Sequence, residues 1–224
     1  MSPLEVPSRD QGPPGTAHGG WVAGLLAEPF GAAATVRLEA AVPLSTPLRV
    51  VADAEESSLW DGNRRLAVGR PADGPASPIG PVRPEVADAT VGPTAEEHAF
   101  PNCFVCGPSA PDGLHICAGP VDESTIATTW TADPAGAGLD EHRLAWCALD
   151  CPSGMAAMRD GVAAVLGTMT ARIARPLVAG ERLVVVGRHV GTEGRKRFAA
   201  TALYDVEGEP VAWSETTWIA LRDP

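Results

Sequence analysis

Lysine is almost missing from this chain. Of its 17 basic residues all but Lys196 are arginine, so a lysine Schiff base has next to no candidates. Positive charge is itself in short supply: 17 Lys and Arg stand against 28 Asp and Glu, a formal net charge of -11. Phosphate backbones are bound by clustered cations, so nucleic acid is not expected as a partner. No run of about 18 apolar residues occurs, which excludes a membrane-spanning helix and leaves no membrane partner expected. The opening Met1-Ser2-Pro3-Leu4-Glu5 lacks the basic and apolar regions of a secretion signal, and a cytoplasmic protein is expected. Cysteines number five, too few and too odd for a disulfide framework. Abundant Ala, Gly and Pro with arginine in place of lysine suit a GC-rich bacterial genome.

What remains is an ordinary soluble composition, 45% hydrophobic and 20% charged over 224 residues, enough for one large domain or two small ones. Residues 69–101 carry a proline every few positions, from Pro71 to Pro101. Proline removes a backbone donor, so this stretch reads as an irregular linker. It divides the chain into an N-terminal half, 1–70, a linker, 71–101, and a C-terminal half, 102–224.

The halves resemble each other. Pro43-Leu44, Leu48-Arg49-Val50-Val51-Ala52 and Gly62-Asn63-Arg64-Arg65-Leu66 are echoed by Pro176-Leu177, Arg182-Leu183-Val184-Val185-Val186 and Gly194-Arg195-Lys196-Arg197-Phe198. Upstream, His18 to Pro29 spans the same distance as Glu141 to Pro152. The compact apolar segments Trp21–Leu26 and Leu144–Leu149 read as one buried helix per half. Alternation and β-branched residues predict strands near 34–42, 48–56 and 64–70, then near 113–118, 123–131, 164–175, 181–192, 196–206 and 210–221. The first half has too little chain before His18 for a full strand pair, so it looks trimmed. This order suits an α+β architecture: a long central helix wrapped by antiparallel sheet in each half, the two units joined edge to edge to cover two exposed edges.

Three motifs then carry a resemblance. His18-Gly19-Gly20-Trp21-Val22-Ala23-Gly24 resembles the helix entry of hotdog-fold acyl-CoA thioesterases. Pro101-Asn102-Cys103-Phe104-Val105-Cys106-Gly107-Pro108, followed by Gly113-Leu114, looks like the opening of single-hotdog members, and Ala212 to Trp218 is similar to their last strand. The resemblance implies a pseudo-twofold double hotdog that hydrolyses an acyl-CoA or related small thioester. In that family a backbone amide of a Gly after the His polarises the thioester carbonyl, like an oxyanion hole at the positive end of a helix. A carboxylate on the facing helix attacks directly or activates water. Carried over by position, His18, Gly19 and Gly20 match the first role, but the carboxylate position of that half is Ala27. In the second half Glu141-His142-Arg143 replaces the His-Gly-Gly, and the carboxylate position is Asp150. One composite site is implied, with Glu28 as the candidate for a second, poorer one. No cofactor and no metal are expected. The tandem itself imitates a dimer, so both a monomer and a homo-oligomer fit.

Other readings of the same residues stand beside these. Gly19 and Gly20 can serve a tight helix entry at positive φ. Asp150, just before Cys151-Pro152, can be the N-cap of a new helical segment, and Pro29 and Pro152 read as shared kinks or helix ends. Cys103-x-x-Cys106 can be half of a zinc site completed by His98, His115 or Cys117, or simply buried thiols, as can Cys147 and Cys151. Cys151 as a nucleophile lacks a nearby base in sequence, His142 being more than two turns away. Arg195, Lys196 and Arg197 can hold coenzyme A phosphates or decorate a hairpin tip. Trp21, Trp130, Trp146, Trp213 and Trp218 can line an acyl pocket or fill the core. A non-catalytic acyl-binding protein is the main rival function. A hotdog hydratase is disfavoured because no Asp–His hydratase loop is present.

Overall fold

The computed structural model describes residues 4–222. Met1–Pro3 and Asp223–Pro224, the outer ends of the two predicted halves, lie outside the described residues. In chain order the elements are α1 (Gly19–Ala27), β1 (Ala33–Leu38), β2 (Arg49–Ala52), β3 (Ser57–Asp61), β4 (Arg64–Pro71), α2 (Pro84–Asp88), β5 (Gly119–Pro120), β6 (Thr125–Thr131), α3 (Pro134–Ala137), α4 (Glu141–Ala157), β7 (Ala164–Ile173), β8 (Arg182–Glu193), β9 (Lys196–Asp205) and β10 (Pro210–Ala220). All ten strands form one sheet, in the order β2-β3-β4-β1-β7-β10-β9-β8-β6-β5. The strands before and after the linker meet at β1 and β7, which pair antiparallel with Val36 opposite Met169. Thr35 and Thr170 share a hydroxyl hydrogen bond of 2.8 Å across that seam.

The strands β7 to β10 fall within about two residues of their sequence expectations, because each is a long run of apolar and β-branched residues bounded by turn residues. Two expectations need correction. The strand expected over 48–56 ends at Ala52, because Asp53 Oδ1 accepts the N–H groups of Glu55 and Glu56 and turns the chain, and a further strand that was not expected, β3, begins at Ser57. The span 113–118 is not a ladder strand either. Leu114 and Ile116 donate to the carbonyls of Phe104 and Val105, so this segment pairs with the Cys103–Cys106 loop, and only the two-residue β5 joins the sheet.

α1 has poor intrinsic helicity, with three glycines in nine residues, and is held by burial of eight of them. It packs against α4, and the two run antiparallel: Gly20 faces Trp146, Cys147 and Asp150, while Gly24 faces Arg143 and Trp146. A Cβ on Gly20 would lie 2.6 Å from the Trp146 carbonyl oxygen. Neither Gly19 nor Gly20 has a positive φ. The glycines therefore serve close helix approach, not a left-handed entry.

α4 is capped by Asp140, whose Oδ1 accepts the Arg143 N–H at 2.8 Å. It runs on through Pro152 to Ala157, so Asp150 is no N-cap and Pro152 no helix end. Burial of α4 against the inner face of β7 to β10 outweighs the one lost helix bond. Gly187 of β8 makes room there, since a Cβ would sit 2.4 Å from the Pro152 carbonyl oxygen.

The first proline of the linker, Pro71, still pairs with Ala34 of β1 as the last residue of β4. The linker is not loose. Ile79, Val82 and Ala87 pack on Val184, Val186, Ala202 and Tyr204, and Pro75 accepts the Trp213 indole N–H at 2.8 Å. Leu183 and Val185 face the helices while Val184 and Val186 face the linker. Both sides of β8 are covered, which accounts for its unbroken apolar run.

Candidate functional site

The N-terminus of α1 points at the middle of α4. His18 is the α1 cap: its Nδ1 accepts the Trp21 N–H at 3.2 Å. The Gly20 N–H, one of the first-turn donors that an α-helix leaves without an internal acceptor, donates to Asp150 Oδ2 at 2.6 Å. His18 Nε2 stands 3.3 Å from the same oxygen and 3.1 Å from Cys151 Sγ. Asp150 is 1% exposed, and its Oδ1 has no hydrogen-bond partner. A Cβ on Gly19 would lie 3.0 Å from Asp150 Oδ2, so glycine at that position also leaves the carboxylate room.

Burial is the largest influence on both groups. It pushes Asp150 up to about 6 against the pull of His18 and the Gly20 N–H. It opposes charge on His18, where the Asp150 carboxylate pulls the other way and leaves the net direction upward. The cap bond decides where the ring proton sits. A nitrogen that accepts the Trp21 N–H carries no proton, so the neutral form of the His18 ring holds its proton on Nε2, facing Asp150 and Cys151.

This pair lies at the polar end of a cavity of about 340 Å³. Phe100, Leu166 and Trp218 form apolar wall, and Cys103, Cys106 and Cys151 join His18, Gly19 and Asp150 at the polar end. Such a cavity, apolar with a few convergent polar groups, suits a small ligand with one reactive polar centre. Among the described residues no helix is long and apolar enough to cross a membrane.

The structure brings His18, Gly19, Gly20 and Asp150 together and sets Trp218 in the cavity wall, but leaves Trp21, Trp146, Arg195 and Arg197 elsewhere. Trp21 and Trp146 do not line the cavity. Trp21 lies under the Arg143 guanidinium, 4.9 Å away, and Trp146 is wholly buried between the helices. Arg195 Nε donates to the Ala220 carbonyl, and Arg197 Nη1 donates to the Ala157 carbonyl at 2.7 Å and pairs with Asp160 at 2.8 Å. Neither arginine reaches the cavity; Arg197 ties the end of α4 to β9. Arg197→Ala is therefore expected to lower stability by about 1.5–3 kcal/mol in thermal unfolding and to leave ligand affinity unchanged. A weakened affinity with unaltered stability would return this residue to ligand binding.

The second, poorer site is also corrected. Cap-to-cap comparison aligns His18 with Asp140, which sets Glu28 opposite Asp150 in place of Ala27. Yet the Glu28 side chain is 66% exposed and 3.6 Å from Arg143 Nη2, so here the carboxylate meets a cationic side chain and not a buried glycine N–H.

Sequence reasoning missed the thiol wall. His98 and Cys117 do not complete a metal site with Cys103: His98 Nδ1 accepts the Phe100 N–H, and Cys117 Sγ faces the Pro93 carbonyl. The cluster that does form is His18, Cys103 and Cys151, with donor atoms all within 4.8 Å of one another. That spacing suits a soft cation, but the ring proton on Nε2 points into it. The histidine that Cys151 lacks nearby in sequence comes from α1, 133 residues away, and it presents its Nε2–H, not a free lone pair, to the sulfur.

Solved structures resemble nearly the whole chain. A candidate thioesterase from Novosphingobium aromaticivorans superposes with a TM-score of 0.64 at 13% identity, covering 98% of this chain and 94% of that one. A candidate thioesterase II from Thermobifida fusca gives 0.61 at 11%, covering 98% and 91%. A hot dog fold protein of unknown function from Alicyclobacillus acidocaldarius gives 0.59 at 13%, covering 98% and 92%. At such identities the likeness shows the fold: this chain has the hot dog fold. No protein-family model and no curated protein sequence matches it.

Proposed function

From a hot dog chain with one buried carboxylate set against a helix N-terminus, we propose a thioesterase-like hydrolase of an acyl-CoA or related small thioester. The chain is read as two hot dog units in tandem, related by a pseudo-twofold axis, with one composite site between them. The observation that carries this reading is the 2.6 Å bond from Gly20 N–H to Asp150 Oδ2 beside a largely apolar cavity. The acyl chain occupies the apolar part. The thioester oxygen is held at the first turn of α1, where Gly19 N–H has no acceptor within the helix and the helix dipole favours developing negative charge. Asp150 acts as general base on water or as nucleophile. As a base it takes the water proton while the water oxygen bonds to the carbonyl carbon; the carbon–sulfur bond then breaks and the thiolate leaves. His18 Nε2–H orients the carboxylate.

Release of free thiol from a panel of acyl-CoA thioesters tests the reading. Its pH dependence is a sharper check. A base with a pKa of about 6 works as the carboxylate, so kcat/KM is expected to fall about tenfold per pH unit below about 6 and to level above it. A rate flat from pH 7 down to 4.5 removes Asp150 from the reaction.

A non-catalytic acyl-binding protein is the second reading, favoured by the Gly20 donor being already engaged by Asp150. Calorimetric binding of an acyl-CoA with no thiol release selects it. Both readings place the protein in the cytoplasm, with no nucleic-acid or membrane partner, as a monomer or a homo-oligomer.

A further inference from the structure

The cavity holds chemistry that thioester hydrolysis does not use. Cys103 Sγ lies 3.5 Å from Cys151 Sγ, both residues are buried, and both line the cavity beside Asp150. Cys103 comes from the loop that follows the linker and Cys151 from α4, so a bond between them would join elements 48 residues apart. We propose that Cys103 is an oxidation site that takes a small peroxide and closes to a disulfide with Cys151, and that this bond shuts the cavity at Asp150. The second half of that statement rests on the hydrolase reading; the first does not.

Geometry selects the pair. A disulfide needs sulfurs about 2.05 Å apart, so the two atoms have to approach by about 1.5 Å. Cys103 sits in a turn tied by its own N–H to the Phe100 carbonyl, outside any helix or strand, and that turn is the part able to move. Cys151 Sγ is 3.1 Å from His18 Nε2, whose proton points at it. The electrostatics agree. Hydrogen bonds from the Cys106 and Cys151 thiols, with His18 beside them, hold the Cys103 thiol well below its ordinary range. Burial and the neighbouring Cys103 push Cys151 up and keep it a thiol. One sulfur is thus prepared to attack and the other to resolve.

The chemistry balances. The Cys103 thiolate attacks one peroxide oxygen, the O–O bond breaks, hydroxide leaves and Cys103 becomes a sulfenic acid. Cys151 sulfur then bonds to Cys103 sulfur; the sulfenic oxygen leaves as water, with the Cys151 thiol proton passing to the medium or to that oxygen. Two thiols lose two electrons, and the peroxide takes them. A dithiol reductant reverses the bond by exchange. The same donors do not make a ready metal site, because the nitrogen that would have to ligate carries the ring proton.

The test uses the full chain, reduced and then freed of reductant, treated with hydrogen peroxide. All five cysteines are free, and titratable thiols are expected to fall by two and to return with dithiothreitol. Fragmentation mass spectrometry of the unreduced digest should place the link between Cys103 and Cys151. Cys103→Ser and Cys151→Ser should each abolish the two-thiol loss, and Cys117→Ser should not. A link from Cys103 to Cys106, no thiol loss, or one equivalent of tightly held zinc that protects the thiols would each overturn the oxidation site. If the wild type hydrolyses thioesters, the oxidised form should lose that activity and regain it on reduction. Full activity in the cross-linked form overturns the closure alone. Absence of hydrolysis in the reduced protein counts against the hydrolase reading and leaves the cross-link result standing.

Discussion

Asp150→Asn is expected to lower thioester hydrolysis by about 10²–10⁴-fold while making the fold more stable at neutral pH. The two effects have one cause. Asp150 is buried between α1 and α4, and burial raises its pKa from 3.8 to about 6. A folded-state pKa above the unfolded value means that the folded protein prefers the protonated acid. Above pH 6 the buried charge therefore costs stability, on the order of 3 kcal/mol for a shift of this size. That cost disappears as pH falls from about 6 toward the unfolded value near 4. Asparagine carries no charge, and its amide oxygen still accepts the Gly20 N–H. Thermal unfolding at pH 7.5 should thus show the variant ahead of the wild type, and the gap should close by pH 4. A variant that hydrolyses normally and unfolds earlier would remove both the catalytic role and the electrostatic account.

Gly20→Val should be the most damaging single substitution in the helix seam. A Cβ there lies 2.6 Å from the Trp146 carbonyl oxygen, 2.8 Å from Asp150 Cβ and 3.0 Å from Cys147 Cα. Two of those three atoms belong to the α4 backbone, which cannot rotate aside. Forced separation of the helices is expected to cost about 3 kcal/mol or more, roughly 6–12 °C in Tm for a chain of this size. It also draws the Gly20 N–H away from Asp150, so hydrolysis should fall together with stability. Gly191→Val provides the comparison, since nothing lies within 4 Å of its Cβ position. Equal losses in the two variants would mean that strand or helix propensity, and not the close approach, sets the effect.

The features legible in the sequence were those that local chemistry enforces. Continuous apolar, β-branched and aromatic runs through Arg182–Glu193 and Lys196–Asp205 mark strands because both faces of the sheet are covered there. The proline series marks the connection because proline cannot serve a ladder. Where local hydrogen bonds override the pattern, the reading slipped: the Asp53 turn cut one expected strand short at Ala52, and Leu114 and Ile116 spent their backbone donors on a loop. Pro152 misled for the opposite reason, since a proline ends an isolated helix but not one whose faces are already buried in a sheet.

The candidate site divides along the same line. Glycines after a histidine, and a carboxylate in a second apolar helix, are visible as residue types at a spacing. Their meeting is not, because Gly20 and Asp150 are 130 residues apart and no local pattern specifies which helix faces align. The tryptophans and arginines read as binding residues carry chemistry suited to a ligand, yet packing claims them first: Trp146 fills the helix seam and Arg197 closes the end of α4.

By itself, then, the sequence determined an acidic chain of alternating strands, two apolar helices and a proline-rich connection, because periodicity and missing donors act within a few residues. Only the tertiary structure decided that Gly20 meets Asp150, that Arg143 meets Glu28, and that Cys103 lies beside Cys151. Those outcomes depend on which surfaces come within 3 to 4 Å of each other after the chain closes, and burial at that distance is what sets both proton affinity and reactivity.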